Sequence, residues 1–110
     1  MEHYFRIDRF SVPAQGRDEF LGRVHGTQSF LRAQEGYVRG YVLEQRSGAE
    51  ASTILTFAEW ESADLVPRVA QTVADFHREQ GYDPNEMLAR LGITVERASY
   101  TSIERSDELV

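Results

Sequence analysis

The sequence predicts an α+β domain in which four strands form one antiparallel sheet and two principal helices cover one of its faces. Three observations carry this. Four runs alternate in side-chain character with the two-residue period of a strand. Two longer runs between them repeat apolar residues at spacings of three and four, the period of a helix. Pro13, Gly36, Gly48, Gly81 and Gly92 stand at the junctions, where such elements stop.

The first strand covers residues 4–12 (YFRIDRFSV). Phe5 and Ile7 face one side, and Tyr4, Arg6, Asp8 and Phe10 the other. Pro13 ends it, since proline offers no ladder donor. The polar stretch Ala14–Asp18 leads into a helix whose stripe is Phe20, Val24, Gln28 and Leu31. Gly22 and Gly26 each weaken that helix by roughly 1 kcal/mol against alanine. Their presence suggests close approach to the sheet. Gly36 stops the helix.

A second strand runs from Tyr37 to Gln45, with Tyr37, Arg39, Tyr41 and Leu43 on one face and Val38, Gly40 and Val42 on the other. Residues 46–50 (RSGAE) read as a turn in which Gly48 is free to take positive φ. The third strand, from Ser52, therefore pairs with the second as a hairpin. It places Ser52, Ile54, Thr56, Ala58 and Trp60 on one side and Thr53, Leu55, Phe57 and Glu59 on the other. Ser62 sits where a helix N-cap belongs, with Asp64 in the first turn.

The second helix carries Leu65, Val69, Val73 and Phe76 at helical spacing, flanked by Val66 and Ala70. Pro67 predicts either a kink or a later start. Gly81 ends this helix, and Asp83-Pro84 opens a short one that reaches Leu91 and stops at Gly92. The last strand, Ile93–Ile103, sets Ile93, Val95, Arg97, Ser99 and Thr101 against Thr94, Glu96, Ala98, Tyr100 and Ser102. The charged tail 104–110 is expected to fray or to lie over a partner.

Strand, helix, strand, strand, helix, strand is two β-α-β halves joined by a hairpin, which is the ferredoxin-like arrangement. One domain spans 1–110, with its core at about 4–103. The sheet face away from the helices carries Tyr and Leu and needs a cover. A second copy of the chain, packed sheet on sheet as a homodimer, is the expected one.

Bulk properties narrow the function. Net charge is −6, which argues against a phosphate-backbone partner and so against nucleic acid. The chain has no cysteine, which excludes disulfides, thiolate metal sites and a cysteine nucleophile and fits a reducing compartment. The N-terminal MEHYFRIDRF holds no long apolar run, so neither a signal peptide nor a membrane span is read there, and the cytoplasm is the expected location. His3, His25 and His77 lack metal-ligand spacing, no glycine-rich phosphate loop can be written, and no serine nucleophile elbow occurs. Five Tyr, six Phe and one Trp are many aromatics for 110 residues, and they suggest a pocket or a subunit interface.

In order and spacing, RFSVPAQGRDEFL, FLRAQEGYVRGYVL and ILTFAEWESADL resemble the antibiotic-biosynthesis monooxygenase family of dimeric α/β barrel proteins. The family's Pro-Gly-aromatic element before strand two is here Glu35-Gly36-Tyr37, with Glu in place of Pro. Its Trp-x-Ser element after strand three is Trp60-Glu61-Ser62. The resemblance covers about residues 4–103. It implies a homodimer with a substrate pocket between helices and sheet in each subunit. It also implies oxidation of polycyclic phenols, anthrones or quinols by O2, with no metal or flavin and hence no cofactor. A related branch binds and degrades haem.

Such oxygenation needs a dry aromatic pocket and polar groups that stabilise a phenolate or enolate while it gives an electron to O2. Trp60 matches the family tryptophan; the ordinary alternative is a corner packing helix on sheet. Asp8 stands where family members often carry a pocket-facing Asn, and as a carboxylate it offers a base or acceptor. A salt-bridged strand residue is the competing reading. His77, late in the second helix, is a candidate base near neutral pH. Tyr37, Tyr41 and Tyr100 are candidate donors to a substrate oxygen, with sheet-face packing at the dimer contact as their alternative. Arg97 is a candidate holder of an anionic oxygen, with a cross-strand ion pair to Asp8 or a glutamate as the alternative.

Three functional classes remain open at this stage. The first is a cofactor-independent monooxygenase acting on a small aromatic substrate. The second is a haem-binding or haem-degrading relative, with Asp8 in place of the Asn that branch implies and His77 in approximate register. The third is a non-catalytic dimeric module that binds small molecules.

Overall fold

The computed structural model describes residues 2–45 and 51–104. Its elements are β1 (Tyr4–Pro13), α1 (Arg17–Arg32), β2 (Tyr37–Gln45), β3 (Ala51–Trp60), α2 (Val66–Glu79), α3 (Pro84–Leu91) and β4 (Thr94–Thr101). The four strands form one sheet in the order β2-β3-β1-β4, antiparallel throughout. This is the predicted ferredoxin-like βαββαβ arrangement with α3 added. The turn expected at 46–50 and the end of the tail, from residue 105, lie outside the described residues.

Pairing fixes which side chains share a face. Asp8 lies opposite Thr56 on β3 and Arg97 on β4, and Arg6 opposite Ala58 and Ser99. The inner face, toward the helices, thus carries Tyr4, Arg6, Asp8, Phe10, Thr56, Ala58, Trp60 and Arg97, in the alternation read from sequence. β2 departs from it. Tyr37 pairs with Trp60 while Arg39 pairs with Glu59, so Val38 is an extra residue and a bulge. The bulge turns Tyr37 to the inner face, where its ring meets Trp60 edge-on at 5.5 Å. The single face expected for Tyr37, Arg39, Tyr41 and Leu43 is therefore broken at its first member. A Cβ at Gly40 would press on the Tyr37 hydroxyl and come within 2.8 Å of the Phe57 carbonyl, so Gly40 leaves the room that this ring needs.

Chain punctuation mostly acts where expected. Gly36, Gly81 and Gly92 have φ of 87°, 67° and 71° and end helical segments. The Ser62 hydroxyl accepts from the Asp64 N–H at 3.2 Å, capping a short 3-10 turn, and α2 follows with Pro67 in its first turn. Pro67 therefore marks a late start and not a kink. Asp83 caps α3 by accepting from the Asn85 and Glu86 N–H groups at 3.0 and 3.4 Å. Gly22 and Gly26 differ from expectation: a Cβ at either meets nothing within 4 Å, so they face open space and not the sheet.

The core gathers at one end of the sheet. Phe10, Val12 and Ile54 from the strands meet Phe20 of α1, Met87 and Leu88 of α3, and Ile93. Phe10 and Phe20 pack with ring centres 4.8 Å apart. Arg90 of α3 ties this end together, reaching Glu19 of α1 at 2.6 Å and Glu86 at 2.8 Å. The outer face of the sheet leaves Tyr41, Leu43 and Tyr100 about half exposed. Glu59, also on that face, is buried and lies 2.6 Å from His3 and 3.1 Å from Arg39. Among the described residues no helix is long and apolar enough to cross a membrane.

Candidate active site

At the other end of the sheet the layers stand apart. α2 is strongly amphipathic, yet none of its residues is buried. Its apolar stripe, Val66, Val69, Ala70 and Val73, lines a cavity of about 370 Å³. Two contacts anchor the second half of α2 to α1: Phe76 stacks on Phe30 at 4.2 Å, and His77 Nε2 lies 2.8 Å from Thr27 Oγ1. A helix that turns an apolar stripe to empty space has left room for an apolar guest.

The sheet forms the floor of the cavity. Trp60 lies there, only 4% exposed, beside Ala58 and Thr56. Next to them β1 and β4 deliver a charged group. Arg6 Nε donates to Asp8 Oδ1 at 2.9 Å, and Arg97 Nε stands 4.0 Å from Asp8 Oδ2. Arg6 and Asp8 meet because residues two apart on a strand share a face. Asp8 and Arg97 meet because they are register partners. The hydrogen bond that Arg6 donates to Asp8 raises the Arg6 pKa further, so that cation is fixed. The Tyr4 hydroxyl is hydrogen-bonded to the Ser99 hydroxyl on the same floor.

A second polar group closes the helical corner. Arg23 and Thr27 come from α1, one turn apart, His77 from α2, and Tyr82 from the α2–α3 link. The Tyr82 ring meets His77 edge-on at 4.9 Å, and the Arg23 guanidinium lies 4.4 Å from the centre of the Tyr82 ring. Burial, reinforced by the Arg23 charge, lowers the His77 pKa and favours the neutral imidazole. Burial raises the Tyr82 phenol, with Arg23 opposing.

Of the residues singled out from sequence, Asp8, Trp60, His77 and Arg97 line this one cavity. Tyr41 does not. It sits on the outer face, 52% exposed, against Phe57 at 5.7 Å, because the strand period puts it opposite Phe57. Neither Tyr41 nor Tyr100, which also lies on the outer face and is 51% exposed, is a substrate contact within this cavity. Tyr37 stands behind Trp60 and is not among the lining residues. Arg6 and Arg23 were not singled out as site residues. Arg6 was legible as the same-face neighbour of Asp8, and Arg23 from its four-residue spacing to Thr27.

No protein-family model matches the chain, and no curated protein does. Solved structures do. SnoaB from Streptomyces nogalater, a cofactor-independent oxygenase solved as a point mutant, is 20% identical, with a TM-score of 0.69 over 96% of this chain and 98% of its own. A dimeric ferredoxin-like protein from an uncultured marine organism reaches 0.73 at 7% identity, over 96% and 99%. MhuD, in a mutant with two manganese protoporphyrin IX bound per active site, reaches 0.66 at 17% identity, over 93% and 96%. At these identities the likeness is one of architecture: the chain has the ferredoxin-like fold on which antibiotic biosynthesis monooxygenase-like proteins are built.

Proposed function

We propose that the protein is a monooxygenase of the antibiotic-biosynthesis type that oxidises an electron-rich aromatic substrate, a quinol, an anthrone or a polyketide-like phenol, with O2. The observation that carries this is the Arg6–Asp8–Arg97 group on the floor of an apolar cavity, with its carboxylate 2.9 Å from one guanidinium and 4.0 Å from the other. Asp8 accepts the acidic proton of the substrate, and the resulting enolate or phenolate rests against Arg97 and Arg6. Trp60 and the α2 stripe hold the ring system flat and exclude water. The anion gives electrons to O2. For an anthrone, one ring CH2 becomes a carbonyl: the carbon gains one oxygen atom, and its two hydrogens leave with the other as water. The fold shared with a cofactor-independent oxygenase supports the reading.

The test is O2 uptake with 1,8-dihydroxyanthrone, corrected for autoxidation. Uptake that depends on protein, and falls in Asp8→Asn, is expected. Binding without uptake across anthrones, quinols and naphthols would leave a non-catalytic binding module instead.

Haem fits the cavity less well. His77 Nε2, the nitrogen turned toward α1, is engaged by Thr27 Oγ1 at 2.8 Å and is not presented as an axial ligand. Among the described residues no three acidic or imidazole groups cluster for a metal ion.

We further infer that two copies pack through their outer sheet faces. Half-exposed Tyr41, Leu43 and Tyr100 form an apolar surface there, and a structural neighbour is a dimeric ferredoxin-like protein. Light scattering at micromolar concentration should give twice the chain mass, and a mass of one chain overturns the dimer.

A further inference from the structure

The oxygenase reading uses the sheet floor and leaves the helical corner without a task. That corner holds one full charge, Arg23. Among the described residues no carboxylate stands within ion-pairing distance of it. The nearest acid on its own helix, Glu19, has both oxygens taken by Arg90, at 3.1 and 2.6 Å. Thr27 and His77 satisfy one another, and Tyr82 donates to Met87 Sδ at 3.6 Å. The guanidinium carbon lies over the Tyr82 ring, and among the described residues none of its N–H groups is shown donating to a side chain or carbonyl.

The charge balance of the cavity points the same way. Among the described residues Arg6, Arg23 and Arg97 line it against the carboxylate of Asp8, with Glu19, Asp83 and Glu86 outside the lining though near enough to act on Tyr82, in a chain whose net charge is −6. An acidic protein that gathers cations around an apolar hollow is arranged for an anion. The two polar groups lie on different walls, one on the sheet and one on the helices, with Trp60, Val69 and Val73 among the apolar lining. The complementary ligand has a flat apolar body, an oxidisable hydroxyl at the sheet end and an acidic group at the helical end.

We propose that Arg23 is the docking point for a carboxylate of the ligand, so that the site selects aromatic acids over neutral aromatics of the same shape. This rests on reading the cavity as an aromatic-ligand site, though not on turnover. Trp60 is the only tryptophan and lines the cavity, so its fluorescence reports occupancy. The probes are 2-naphthoate and the matched neutral 2-naphthamide, titrated at low salt and at about 0.5 M salt. The carboxylate should bind about tenfold tighter at low salt, a gap that narrows with screening. Arg23→Gln should erase the gap without altering the far-UV spectrum, since Arg23 is exposed on its helix. Arg23→Lys keeps the charge and loses the planar fork of donors, and should retain part of the gap. Equal affinities for the two probes overturn the proposal, as does a gap that survives Arg23→Gln but collapses in Arg97→Gln. Failure of both probes to change Trp60 emission overturns it too. O2 uptake with the neutral anthrone is unaffected by any of these outcomes and decides the oxygenase reading separately.

Discussion

At the Phe10 end of the sheet, Val12, Phe20 and Ile54 are no more than 1% exposed, and α3 presses Met87 and Leu88 into them. At the Trp60 end, α2 spans the same inner face and buries none of its residues. Both ends use the same apolar residue types and the same strand alternation. The difference lies in what faces them. At one end two helices converge on the sheet and fill it; at the other a single helix, held by Phe76 and His77 in its second half, stands off. Apolar side chains left facing a hollow forgo burial energy of roughly 25 cal/mol per Å². The two ends share a wall, since Phe10, Phe20, Met87 and Leu88 of the filled end also line the cavity, and the room for a ligand lies where α2 stands off beyond them.

Substitution separates the two ends most sharply through stability. Phe20→Ala removes a ring from the filled end and should cost about 3–5 kcal/mol in denaturant unfolding. Val69→Ala removes two methyls from a wall that already faces a cavity, and should cost under about 1 kcal/mol. Equal costs would mean that the hollow closes in solution and that the two ends are alike.

Activity should divide them the other way. Asp8→Asn keeps the shape of the floor and removes the base, and is expected to lower turnover of 1,8-dihydroxyanthrone by about 10²-fold with little change in melting temperature. The substitution leaves Arg6 and Arg97 without their carboxylate, which favours anion binding. KM for an acidic phenol should therefore stay level or fall while kcat drops. A parallel loss of kcat and melting temperature would instead make Asp8 a structural ion pair.

Gly40 tests how the filled and hollow ends are joined. Gly40→Ala forces a Cβ toward the Tyr37 hydroxyl and to 2.8 Å from the Phe57 carbonyl, so Tyr37 must leave its place against Trp60. A cost of about 1–3 kcal/mol is expected, with altered Trp60 emission, and Tyr37→Ala in the same chain should recover only the share due to the ring, since the Phe57 carbonyl still stands 2.8 Å from the new Cβ.

The filled end was legible in the sequence because period and punctuation agree there. Phe10, Phe20 and Ile54 each fall on one of the stripes that the period groups, and Asp83 and Gly92 bound α3 as their chemistry requires. The site was legible in part. Alternation grouped Asp8 with Tyr4, Arg6 and Phe10, and Trp60 with Thr56 and Ala58, each within its own strand, and only the register joined these groups and Arg97 on one face. Tyr37 was misplaced because one extra residue, Val38, reverses the parity of everything before it, and a bulge has no signature in an alternating run. Gly22 and Gly26 misled because a glycine on a helix reads alike whether it faces a sheet or solvent. The gap under α2 was not legible at all. Its stripe has the pattern of a buried helix, and only the distance between layers distinguishes packing from a pocket wall.

Proton coupling at His77 is the smallest effect and the one that probes the hollow end without a ligand. Burial first, and the Arg23 charge second, hold its folded pKa below the ordinary value of about 6.5. The folded state then binds fewer protons than the unfolded state between the two values, so stability rises with pH across that window. The contribution is intact above about pH 6.5 and is lost as pH falls through the folded pKa. His77→Gln keeps a partner for Thr27 and does not titrate. Carboxylates titrate in both proteins and cancel in the difference between them. Wild type should therefore lose stability relative to His77→Gln as pH drops from about 7 to about 5. Arg23→Gln should make that loss smaller and complete it at higher pH, because removing the cation that opposes protonation lets the folded pKa rise toward the ordinary value. A difference that is flat with pH would mean that solvent reaches the imidazole freely, and that the corner where α1, α2 and Tyr82 meet is open in solution.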